Sequence, residues 1–146
     1  MIPDLAGRTI EIIKIDYALQ MWTEDNWFLR LASPVLVGRT GTPGQVLHVD
    51  GPDAPLPPEL ADLVGATITQ LLVADGGDLV LQLGNRQLVA QAADDHETWE
   101  IAGHDGELLI CTPGGALTYF PPVPGIGTPA GAGPTPPADV APSAEA

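Results

Sequence analysis

Four glycine-bearing reversals punctuate the stretch from Asp75 to Gly115, and they leave room for little between them except short strands. Asp75-Gly76-Gly77, Gly84-Asn85, Asp105-Gly106 and Pro113-Gly114-Gly115 supply the positive φ angles that tight turns require. The runs between and beside them, Thr67 to Val73, Leu79 to Leu83, Gln87 to Gln91, Thr98 to Ala102, Glu107 to Cys111 and Ala116 to Phe120, are apolar or alternating. From Gly65 onward they predict an antiparallel meander in which sequence neighbours pair. Looser strands are expected in the first half at Arg8 to Ile15, Tyr17 to Trp22, Trp27 to Leu31, Val35 to Val37 and Gln45 to Val49.

The two halves resemble each other. Gly7-Arg8-Thr9-Ile10, followed by Ile13 and Ile15, aligns with Gly65-Ala66-Thr67-Ile68, followed by Leu71 and Val73; Leu19 and Met21 then align with Leu79 and Leu81. In both copies the apolar positions slip out of the period of two at the same place, which predicts a β-bulge or sharp bend. The expected fold is mostly β: two related antiparallel β-meanders, about residues 5–50 and 63–120, forming a sandwich or partly open barrel. One short helix, from Asp53 to Gly65, joins them, with prolines in its first turn, Leu60, Leu63 and Val64 on one stripe, and a closing glycine.

Composition enters at the C-terminus. Residues 121–146 are dominated by Pro, Gly and Ala and contain no Leu, aromatic or basic residue, so they cannot repay the entropy of ordering and are expected to be a disordered tail. One domain, residues 1–120, remains to fold, and a chain of that length can bury a core without disulfides.

Charge excludes several partners. Five basic residues stand against 19 acidic ones, for a net charge of −14. Nucleic acid and anionic membrane surfaces require the opposite balance, so neither is an expected partner. The N-terminus carries neither the positive patch nor the apolar run of a secretory signal, and no run reaches the roughly twenty apolar residues of a membrane span, which makes the cytoplasm the expected compartment. Cys111, the single cysteine, lies among Leu109, Ile110 and Thr112 and reads as a buried thiol.

Reactive constellations are scarce. Ser33 precedes a proline and Ser143 lies in the tail, so neither fits a nucleophile elbow, and no glycine-rich phosphate loop is present. No catalytic residue, metal site or cofactor is expected. Asp94-Asp95-His96-Glu97 is the one His and carboxylate cluster. It suits a solvated acidic loop better than a cation site, and His104 is too far along an extended strand to join it. His48 alternates like a strand residue.

Of the aromatic residues, Trp99 is the informative one. It stands between Thr98 and Glu100; a core anchor is the first reading, an exposed ring rimmed by Glu97 and Glu100 the second. On an extended strand Glu97, Trp99 and Ile101 share a face and Glu100 points away.

His96-Glu97-Thr98-Trp99-Glu100-Ile101-Ala102-Gly103, then Thr112-Pro113-Gly114-Gly115-Ala116-Leu117, resembles the closing segment of a family of small actinobacterial proteins classed as a domain of unknown function, and Leu5-Ala6-Gly7-Arg8-Thr9-Ile10 resembles its opening. The chain departs from that pattern at Thr98, where a small apolar residue is expected, and at Tyr119-Phe120, where a Trp is expected. The family has no established activity to lend, so the resemblance implies a shared fold and an actinobacterial origin, and nothing about catalysis.

The functional expectation is a non-catalytic acidic binding module, an adaptor or immunity-like inhibitor that meets a basic protein partner, with Trp99, Glu97, Glu100, Asp94, Asp95 and His96 as the candidate binding residues. The competing expectation is a small-ligand or enzymatic site within the β structure near Trp99. The oligomeric state is left open.

Overall fold

The computed structural model describes residues 2–32, 34–41, 44–48 and 55–122. The expected tail beyond residue 122, Ser33, Val49 at the end of the expected Gln45 to Val49 strand, and Asp53 and Ala54 at the start of the expected helix lie outside them. Among the described residues, eleven strands and one short helix form two antiparallel sheets. The strands are β1 (Ile10–Ile15), β2 (Leu19–Thr23), β3 (Phe28–Leu31), β4 (Val35–Arg39) and β5 (Gln45–Leu47), then helix α1 (Pro58–Ala61), then β6 (Gln70–Val73), β7 (Leu79–Leu83), β8 (Arg86–Ala90), β9 (Trp99–Ala102), β10 (Leu108–Cys111) and β11 (Leu117–Phe120). Each expected strand is present; Leu79–Leu83 keeps its expected bounds, Val35 to Val37 extends to Arg39, Gln87 to Gln91 shifts to Arg86–Ala90, and the others differ by one to three residues at their ends.

Strand order is where the structure departs from expectation. The six-stranded sheet runs β1-β2-β3-β9-β10-β11 and the five-stranded sheet β5-β4-β8-β7-β6. The second half is therefore not one continuous meander. Residues 91–98 cross from one sheet to the other, so β8 pairs with β4 and β9 with β3. The first half divides in the same way after β3.

Backbone bonds between the halves come in reciprocal pairs. Gly7 N donates to Ile68 O at 2.8 Å and Gly65 N to Ile10 O at 2.7 Å; Ile10 N donates to Ala66 O at 2.9 Å and Ile68 N to Arg8 O at 2.8 Å. An antiparallel bridge joins Thr9 to Thr67 between them. The expected irregularity in β1 is a register shift between Ile10 and Ile12. In the second copy the chain leaves the bridge at Thr67 and re-enters a sheet only at Gln70.

Helix α1 has four residues, shorter than expected. Its first-turn prolines and Glu59 suit a helix start, but the α-helix ends at Ala61 and turns carry the chain to Gly65. Leu60 and Leu63 are buried while Val64 is exposed, because the helical period no longer applies beyond Ala61.

The core lies between the sheets. Ile13, Met21, Leu29, Ile101 and Leu109 form one buried cross-strand row, and Ile15, Leu19, Leu31, Trp99 and Cys111 form the next. They pack with Val35, Val37, Leu79, Leu81, Leu88 and Ala90 of the other sheet. A second, smaller cluster of Ile12, Trp22, Phe28 and Ala102 occupies the opposite face of the six-stranded sheet, with Trp22 tilted against Phe28 at a centroid separation of 5.1 Å.

Candidate functional site

The acidic residues sit on the crossing between β8 and β9, and the ends of that crossing are fixed. Ala92 N donates to Asp78 Oδ1 at 2.8 Å, Gly114 N donates to Ala93 O at 2.8 Å, and Ala32 N donates to Thr98 O at 2.7 Å. Between these anchors the chain bends, and Asp94, Asp95, His96 and Glu97 are all exposed. The anchors hold the backbone while the side chains stay in water. Asp95 Oδ1 lies 2.7 Å from His96 Nδ1, and that hydrogen bond holds the Asp95 carboxyl below the usual aspartate range.

Glu100 is placed differently. It points outward from β9, flanked by Arg30 on β3 and Ile110 on β10. Burial pushes its carboxyl above the usual glutamate range, Arg30 opposes that shift, and Glu97 adds to it. The structure thus brings Glu97, Glu100 and Arg30 into one electrostatic neighbourhood, and leaves Asp95 with His96 as a separate pair.

Trp99 is 1 % exposed and cannot serve as a surface ring, so the reading of it as an exposed aromatic rimmed by acids is corrected. The shared face expected for Glu97, Trp99 and Ile101 also fails, because β9 begins only at Trp99 and Glu97 precedes it in solvent. The indole has a structural partner: Nε1 donates to Gly77 O at 2.8 Å, and Cys111 Sγ lies 3.5 Å from the same oxygen. Gly77 belongs to the turn between β6 and β7, and that turn lies so close to Pro113-Gly114-Gly115 that a methyl group on Gly115 would overlap the Gly76 carbonyl. The Trp and the paired glycines of the closing segment therefore converge on one turn of the opposite sheet. They form a clasp, and the ring within it offers no surface to a small ligand.

Among the described residues no group of three or more His, Cys, Asp or Glu is arranged to hold a metal ion, so the cation reading of residues 94–97 finds no ligand set. His48 and His104 are exposed and stand apart from this loop in sequence. Thr98 is fully buried and its Oγ1 has no hydrogen-bond partner. No helix among the described residues is long and apolar enough to cross a membrane.

Two participants escaped the sequence reading. Arg30 is 70 positions from Glu100 along the chain, and only the β3 to β9 pairing reveals it. Asp78 is an ordinary turn acid in the sequence, yet it fixes the start of the acidic crossing.

A family model described as a family of unknown function (DUF6188) matches residues 1–121. No curated protein and no solved structure matches the chain.

Proposed function

The chain belongs to that family of unknown function, and from this premise we propose that it is a non-catalytic acidic binding module, an adaptor or immunity-like inhibitor whose partner is a basic protein. The observation that carries this reading is the crossing at residues 94–97. Three exposed carboxylates, Asp94, Asp95 and Glu97, are presented by a backbone anchored at both ends, in a chain of net charge −14. A fixed negative surface raises the encounter rate with positive surfaces and rejects acidic ones. Glu100 adds a partly desolvated carboxylate beside the loop, whose charge becomes more favourable when a cation approaches. The reciprocal bonding about the Thr9–Thr67 bridge supports a duplicated domain with a local two-fold axis through that bridge, as the sequence repeat suggests.

The test is capture of basic proteins by the immobilised full chain at about 50 mM and about 500 mM salt, which changes screening severalfold. A variant with Asp94→Asn, Asp95→Asn and Glu97→Gln serves as comparator. A partner held at low salt, released at high salt and lost from the variant is the expected result. No partner, or one indifferent to both changes, overturns the reading.

A further inference from the structure

The outer face of the five-stranded sheet carries a second surface, chemically unlike the acidic crossing. Val46, Leu36, Val89, Val80 and Leu72 are successive cross-strand partners from β5 to β6, so they form an apolar row across the whole sheet. Val46 is 50 % and Leu72 41 % exposed at the two edges, and Leu36, Val89 and Val80 between them are half-buried. The adjoining row is Gly38, Gln87, Gln82 and Gln70. Neither row contains an Asp, Glu, Lys or Arg. The matching outer face of the six-stranded sheet, by contrast, carries Lys14, Arg30 and Glu100.

We propose that this uncharged face is the contact between two copies of the chain. A two-fold interface must accept its own residues in return, and Val, Leu, Gly and Gln all do so. Apolar side chains stack on their own kind. Each glutamine side chain carries both a donor and an acceptor, and Gln82 Nε2 already donates to Gln87 Oε1 at 3.5 Å. A basic partner would find nothing here to neutralise. In a chain of net charge −14, a face without charge is also where two copies approach with least direct repulsion. Five strands at about 4.8 Å spacing and two rows of side chains give a footprint of roughly 24 Å by 14 Å. That is roughly 340 Å² on each copy, less than a stable dimer buries, so the association is a weak one, at about hundreds of micromolar. Because the remaining repulsion between copies is screened by salt, the dimer strengthens as salt rises. Capture through the acidic crossing has the opposite dependence, so the two readings fail separately.

The experiment is sedimentation velocity on the full chain from about 10 to 300 µM, at about 50 and 500 mM salt. The expected weight-average mass climbs from one chain toward two, more steeply at high salt. Leu72→Lys and Val89→Lys each weaken association at least about tenfold, and Leu72→Lys, at an exposed edge position, keeps the wild-type melting temperature. A mass that stays at one chain throughout overturns the proposal, as does dimerisation undiminished in both variants. If the wild type stays at one chain and Leu72→Lys lowers the melting temperature, the row is covered within its own chain, which overturns it equally.

Discussion

The indole Nε1 of Trp99 donates to the Gly77 carbonyl at 2.8 Å, and this bond ties β9 of the six-stranded sheet to the β6–β7 turn of the other. Its consequences for stability are open to direct measurement.

Trp99→Phe keeps an aromatic ring in the core but removes the donor. The Gly77 carbonyl is then left with the weak thiol contact of Cys111, and the smaller ring leaves unfilled space. The expected loss is about 2 kcal/mol, measured by chemical denaturation. Unchanged stability would show that the bond contributes nothing.

Gly114 and Gly115 have almost the same φ, +90° and +89°, yet their surroundings differ. A Cβ at Gly114 meets nothing within 4 Å, so Gly114→Ala suffers only backbone strain, about 1 to 2 kcal/mol. At Gly115 the added methyl also collides with the Gly76 backbone, which cannot rotate away. Gly115→Ala is expected to cost about 3 kcal/mol or more. Equal melting temperatures for the two variants would contradict the close approach of the turns.

Thr98 is buried with an unpartnered hydroxyl, at the position where the resemblance calls for a small apolar residue. Thr98→Val keeps the shape and removes the unpaired polar group, so it is expected to stabilise the domain by about 0.5 to 1.5 kcal/mol. A loss of stability in denaturant titration would mean the hydroxyl has a partner in solution.

Glu100 gives a pH dependence of definite sign. Its folded pKa is raised, chiefly by burial, above the ordinary 4.5, so its ionised form is disfavoured in the folded state. That cost is fully present above the folded pKa and fades as pH falls through it toward the unfolded value. Glu100→Gln therefore melts higher than wild type at pH 7, and the difference shrinks toward zero near pH 4. Parallel melting curves at both pH values would remove the assignment. In Glu97→Gln the same transition in the wild-type background moves to lower pH, because one of the charges raising the Glu100 pKa is gone.

The strands were legible because glycine turns bound them so tightly. Leu79 to Leu83 ends at the expected residues, and the bulge in β1 follows from the spacing of Ile10, Ile13 and Ile15. Sheet membership was not legible. Residues 91–98 carry the same polar and acidic character as a hairpin loop, and nothing local distinguishes a turn back onto β8 from a passage to the other sheet. The site residues suffered from the same ambiguity. Strand parity assigns Glu97 to the face of Trp99 only if the strand already runs through Glu97, and the bend at residues 94–96 delays it until Trp99. The Trp99 indole found its acceptor 22 residues away, a distance at which sequence pattern is silent.

The division of each half between two sheets governs how the chain can fold. The β3–β9 and β4–β8 ladders join segments tens of residues apart, so neither sheet can close until most of the polypeptide has been assembled. Such high contact order slows folding relative to a chain of simple hairpins. It also makes the two halves obligate complements: fragments divided between β5 and α1 would each lack the neighbours their inner strands require, and would acquire structure only on meeting each other.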